Sequence, residues 1–149
     1  MPKVGAIFLS GDKELDRALE KFEAKDQKTA LRKATRAVTK KIEADAKRLV
    51  NVDSGKLQLS ITTRAVKLKG RTKKEGRNVI GHSVVTRGGL FKGETYYGGF
   101  IEFGTEKFKP GEGESYLRRA LFTAASTTPA AFRQELIKAI NQIKAKKAK

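Results

Sequence analysis

The chain predicts an α+β fold: a small antiparallel sheet of about three to four strands packed against a long helix, with further N-terminal and C-terminal helices. Three observations carry this. A helical apolar period runs without Pro or Gly from Gln27 to Asn51. Shorter stretches after Lys56 alternate or concentrate β-branched and aromatic residues, as strands do. The helical patterns flank these strand patterns and do not interleave with them, which favours α+β over α/β.

Taken in order, Val4 to Leu9 is an apolar run closed by Ser10-Gly11 and reads as a strand. Asp12 is placed to cap a helix with the apolar stripe Leu15, Ala18, Leu19 and Phe22, ending near Lys25-Asp26. The long helix follows. Leu31, Thr35, Val38, Ile42, Ala46 and Leu49 form its stripe, with Lys33, Lys40, Lys41 and Lys47 off that line. Asp53-Ser54-Gly55 supplies a stop.

Beyond it, Leu57, Leu59, Ile61, Thr63 and Ala65 alternate with polar residues and predict a half-buried strand. Lys67 to Arg77 reads as a basic loop, and Arg77 to Thr86 as a second strand containing Val79, Ile80, Val84 and Val85. Arg87 to Glu94 is rich in glycine and reads as a mobile loop. Tyr96 to Phe103 predicts a third strand, ended by Gly104. Lys107 to Gly113 is a loop, and Glu114-Ser115 opens a helix with Leu117, Leu121 and Ala124 on one face. Thr128-Pro129 fits an N-cap followed by proline in the first turn of a last helix lined by Phe132, Leu136, Ile140 and Ile143; the alternative is a kink in one continuous helix. Residues 144–149 form a basic tail expected to fray, and 1–149 read as a single domain.

Of 149 residues, 38% are hydrophobic and 33% charged, which predicts a small core or surfaces completed by a neighbour. The formal charge of +17 repels itself and favours an anionic partner or a complementary subunit. With no cysteine, disulfides, thiolate metal sites and Cys nucleophiles are excluded. No stretch approaches the roughly 20 apolar residues that span a bilayer, and the start of the chain carries no signal-peptide pattern, so a soluble protein made in a cytoplasm is expected.

Catalytic patterns are weak. His82 is the sole histidine; Gly81-His82-Ser83-Val84-Val85 is not a nucleophile elbow, and a surface position on a strand is the expectation. Most carboxylates, Glu43 and Asp45 among them, are spaced for ion pairs with Lys or Arg one helical turn away. Strand alternation puts Glu102 opposite Ile101 and Phe103, as a solvent-facing or interface carboxylate. A hydrolase built on His82 and Glu102 is therefore a minor reading. The glycine-rich stretches match no nucleotide fingerprint, and no cofactor or metal is implied. Phe91, Tyr96 and Tyr97 beside Arg87 and Lys92 suit either a single-strand groove or a subunit contact. Aromatics make up only 7% and no base-reading motif is present, which leaves non-specific nucleic-acid binding as the alternative function.

Four segments, in this order, resemble the neck and tail-completion (head–tail joining) proteins of long-tailed bacteriophages, relatives of the minor tail protein Z of phage lambda. They are Ile7 to Leu15; Val52-Asp53-Ser54-Gly55-Lys56-Leu57-Gln58-Leu59-Ser60-Ile61; Tyr97-Gly98-Gly99-Phe100-Ile101-Glu102-Phe103-Gly104-Thr105; and Ser115-Tyr116-Leu117-Arg118-Arg119-Ala120-Leu121. In the last, Ser115 and Arg119 stand where the family has prolines.

The resemblance implies a non-enzymatic virion subunit of an oligomeric ring, commonly six-fold, without cofactor. The ring would join the head connector or stopper to the tail-tube or tail-terminator proteins around passing double-stranded DNA, after assembly in the host bacterial cytoplasm. On this reading Tyr96, Tyr97, Phe100, Glu102, Thr105, Arg87, Phe91 and Lys92 are the expected subunit contacts. Lys67, Lys69, Arg71, Lys73 and Lys74 are the charges expected to face the DNA path or a partner.

Overall fold

The computed structural model describes residues 13–50, 55–66, 80–105 and 115–148. Its longest element is a helix of 26 residues, Ala24–Leu49 (α2), about 39 Å from end to end. Its two halves bury different faces. Ala30 and Ala34 in the first half meet Leu136, Ala139, Ile140 and Ile143, with Ala18, Leu19 and Phe22 packed at the margin. These partners come from the last helix, Thr128–Lys147 (α6), from the first, Lys13–Glu20 (α1), and, for Phe22, from the turn between α1 and α2. The alanines have no side chain beyond Cβ, so α6 can pack close to the α2 backbone. Lys33 Nζ meets Gln142 at 3.1 Å and Lys147 Nζ meets Asp26 at 2.6 Å, which fixes α6 antiparallel to α2.

The second half of α2 faces a sheet and two short helices. Ala46 and Val50 pack with Leu57, Ile61, Tyr116, Leu117 and Ala120. Leu57 lies in a short helix, Lys56–Ser60 (α3), which runs directly into the strand Ile61–Ala65 (β1). That strand pairs antiparallel with His82–Thr86 (β2), with Ile61 opposite Thr86 and Ala65 opposite His82. After a 3-10 turn at Gly93–Thr95 come Tyr97–Phe103 (α4) and Tyr116–Ala125 (α5).

The α+β class holds: helices dominate and the sheet of the described residues has two antiparallel strands. Several elements differ from the sequence reading. Tyr96 to Phe103 is not a strand; Tyr97–Phe103 is helical. Strand propensity reflects fit to a half-buried pleated surface, and here helical i,i+4 spacing instead puts Gly98 and Glu102 together on the buried side. Lys56–Ser60 is likewise helical, burying Leu57 and Ser60 three residues apart and leaving Leu59 77% exposed. The strand expected over Arg77 to Thr86 is present from His82 onward. α1 ends at Glu20 and α2 begins at Ala24, earlier than the predicted break.

At the other end, the Ser126-Thr127 turn separates α5 from α6, so Pro129 lies in the first turn of a separate helix and does not kink a continuous one. That helix continues to Lys147, where the sequence predicted fraying; the Lys147 pair with Asp26 anchors its last turn. The predicted strand at Val4 to Leu9, the loop at Lys107 to Gly113 and the five basic residues Lys67, Lys69, Arg71, Lys73 and Lys74 lie outside the described residues.

Candidate subunit interface

Glu102 organises the region that the sequence marked for contacts, but from the inside. It is fully buried, contrary to its expected place on a solvent-facing or contact surface, because the backbone there is helical. Its Oε2 accepts the Leu117 N–H at 2.8 Å, and its Oε1 accepts the Arg118 N–H at 3.0 Å and Arg118 Nε at 3.1 Å. The first turn of α5 thus finds its capping acceptor on another helix. Its N-cap residue, Ser115, makes no side-chain cap; its hydroxyl donates to the Glu102 carbonyl at 3.0 Å. A buried carboxylate at a helix N-terminus satisfies orphan N–H groups and complements the helix dipole. Arg118 closes the unit, donating also to the Glu102 carbonyl and to Ser115 Oγ. Next to this unit, the Tyr116 hydroxyl is pushed well above the ordinary phenol range, first by burial and then by the Glu102 charge and Tyr97.

On the outer side of α4 lies an aromatic face. Phe91 meets Phe100 edge-on at 5.6 Å and stacks near Phe103 at 6.2 Å; Tyr96 sits 6.1 Å from Phe100. The Arg118 guanidinium lies 5.6 Å over the Phe103 ring, so one cation serves both the buried carboxylate and the aromatic face. Phe91, Tyr96 and Phe100 are 44%, 54% and 44% exposed, which is high for neighbouring large aromatics.

The glycine-rich turn is tied to this face: Gly99 N–H donates to the Leu90 carbonyl at 2.7 Å. A Cβ on Gly99 would fall 2.4 Å from the Phe91 ring, so only glycine admits the ring there. The turn therefore packs on its own chain, where the sequence predicts a mobile loop.

Of the predicted contact residues, Phe91, Tyr96 and Phe100 come together at the surface, and Arg87, Lys92 and Thr105 are exposed. Tyr97 packs against the second cluster, and Glu102 is structural.

A second carboxylate was also read from sequence as a surface ion pair. Glu43 does pair with Lys40 and Lys47, at 2.9 and 2.8 Å, but it is 5% exposed and also accepts the Thr63 N–H at 2.8 Å. Burial alone would raise its pKa; the hydrogen bonds from Lys47, Lys40 and Thr63 outweigh that and bring it down to about 2. It joins α2 to β1 much as Glu102 joins α4 to α5.

His82 is half-buried, with Nδ1 2.8 Å from Thr35 Oγ1. That hydroxyl donates to the Leu31 carbonyl, so the compatible tautomer carries its proton on Nδ1. Burial, then Arg36 and Arg32, lower its pKa. It borders an apolar groove of about 430 Å³ among Val38, Ile42, Val84 and Leu117, with no carboxylate in its lining among the described residues. The two groups of the hydrolase reading are thus engaged separately, one with α2 and the other with α5. Among the described residues no cluster of His, Asp and Glu could hold a metal ion, and no helix is long and apolar enough to cross a membrane.

A family model described as "Bacteriophage HK97-gp10, putative tail-component" matches residues 13–104. The chain belongs to this family. The match runs from α1 to the glycine that ends α4, and so takes in Glu102 and the aromatic face while stopping short of α5. Membership in the HK97-gp10-like family agrees with the neck and tail-completion resemblance read from the four segments. It makes the chain a structural tail component, which is not an enzyme class, and implies a place in the virion. No curated protein and no solved structure matches the chain.

Proposed function

We propose that this HK97-gp10-like chain is a ring subunit of the phage head–tail junction, a neck or tail-completion protein joining the head connector to the tail around the DNA path. The observation that carries the proposal is the aromatic face. Phe91, Tyr96 and Phe100 are roughly half exposed, yet the α4 helix beneath them is fastened by the Glu102–Arg118 unit. A half-exposed aromatic surface, with Arg87 and Lys92 exposed close by in the chain, has the composition of an interface core, and a neighbouring subunit that covers it gains the burial.

Cyclic closure requires a different, complementary patch on that neighbour, so the contact is head-to-tail. The six-fold number, the connector, stopper, tail-tube and terminator neighbours, and assembly in the host bacterial cytoplasm come from the family resemblance. The membrane has no part in this reading.

Sedimentation velocity and negative-stain microscopy test it, with the chain alone and mixed with purified connectors or tail tubes. The expected outcome is a closed oligomer, alone or on the partner ring. The double variant Tyr96→Ser/Phe100→Ser should lose assembly while its melting temperature moves little. A chain that stays monomeric and joins neither connector nor tail tube would overturn the proposal.

A further inference from the structure

The charge of the long helix is unevenly compensated. Between Asp26 and Glu43 there is no acidic residue, whereas six basic ones occur: Lys28, Arg32, Lys33, Arg36, Lys40 and Lys41. Three of these have partners. Lys33 bonds Gln142, Lys40 pairs with Glu43 and Lys41 with Glu135. Lys28, Arg32 and Arg36 have no hydrogen-bond or ion-pair partner among the described residues. Their i, i+4, i+8 spacing lines them up along one side of α2 at about 6 Å of rise per step.

We propose that Lys28, Arg32 and Arg36 form a binding strip for the sugar-phosphate backbone of duplex nucleic acid. The strip is a line of positive charge without aromatic residues, so it can meet regularly spaced phosphates but has nothing to stack on bases. Contact of this kind is independent of sequence and driven by counterion release.

The surroundings of the strip carry the same positive sign. The strip runs beside the end of the sheet where His82 touches Thr35, and the Val66 N–H closes the base of the connecting segment on the Gly81 carbonyl at 2.9 Å. The lowered proton affinity of His82, due after burial to Arg36 and Arg32, reports the same positive potential. The strip belongs to one chain, so the inference holds whether or not the ring forms.

The test is fluorescence anisotropy of a 30-base-pair duplex with the full chain over a range of salt concentrations. Each phosphate contact contributes about 0.9 to the slope of log affinity against log salt. The triple variant Lys28→Gln/Arg32→Gln/Arg36→Gln should flatten that slope by about 2 to 3. It should also weaken binding at least tenfold at low salt, with an unchanged circular-dichroism melt. Arg32→Lys/Arg36→Lys keeps the charge and should keep the slope. The control triple Lys13→Gln/Arg48→Gln/Lys56→Gln removes the same charge elsewhere and should shift binding far less.

Equal losses in both triples would show that net charge alone is responsible and would overturn the strip. Competition by polyglutamate as effective, charge for charge, as duplex DNA would overturn the choice of nucleic acid. No duplex binding at low salt would overturn the proposal altogether.

Discussion

The two ends of α2 solve the same packing problem in different ways. At its N-terminal half the contacts are almost wholly apolar: two alanines against Leu136, Ala139, Ile140 and Ile143, with ion pairs such as Lys147–Asp26 kept at the rim. At its C-terminal half a similar apolar cluster is bordered by two buried carboxylates, Glu43 and Glu102, each accepting backbone N–H groups from another element. Two antiparallel helices satisfy their own backbones and need only shape. A short strand, a one-turn helix and the start of α5 expose orphan N–H groups, and buried acceptors must answer them. The half built this way is also the one that presents the aromatic face.

The comparison predicts where the molecule breaks. Glu102→Ala should be the most damaging change, since it leaves the Leu117 and Arg118 N–H groups without an acceptor and takes the carboxylate from the Arg118 guanidinium, which keeps the residue 102 carbonyl and Ser115 Oγ. Two N–H groups left unsatisfied, with the loss of a charged hydrogen bond, should cost about 3–5 kcal/mol, or on the order of 10 °C in melting temperature. It should also abolish oligomer formation at temperatures where the chain is still folded, because α4 loses its fastening.

Leu136→Ala, in the all-apolar half, should cost about 2–4 kcal/mol through the cavity it leaves. Oligomer formation at a permissive temperature should persist. If both variants lose assembly equally at matched stability, the two halves are not distinct in function.

The smallest expected effect is in acid. Glu43 titrates at about 2 when folded against an ordinary 4.5. Its contribution is therefore complete above about 4.5 and is lost as pH falls toward 2, amounting to at most roughly 3 kcal/mol. Glu43→Gln should flatten the chemical-denaturation stability curve over that window. His82 acts in the same sense at higher pH: its lowered value means stability is complete above 6.5 and declines as pH drops through it. His82→Gln should remove that shallower step and leave the acid limb intact.

Legibility in the sequence followed the length of the pattern. α2 and α6 were readable because the helical period persists over 26 and 20 residues, long enough to outweigh single exceptions. Tyr96 to Phe103 was misread because local aromatic and β-branched content favours a strand, while the interaction that makes it a helix comes from Leu117 and Arg118, beyond a stretch no local window spans. The signal that could have found it was the i,i+4 pairing of Gly98 with Glu102, two residues suited to close packing and a buried anchor. For Glu43 the lysine partners were legible but the burial was not, because the third donor lies on a strand 20 residues away. At the candidate interface the aromatics were found from composition, and Glu102 was assigned to the wrong side of the backbone.

The joint position of α2 has one more consequence. Its first half is wall to one cluster and its second half to the other, and no Pro or Gly offers a hinge between them. Neither cluster can open alone without unpacking a flank of the helix that the other still holds. The amide hydrogens around Val38 to Ile42, at the middle of the helix, should thus exchange with solvent only when both halves open together. The described chain would then behave as one cooperative unit, despite its two differently built cores.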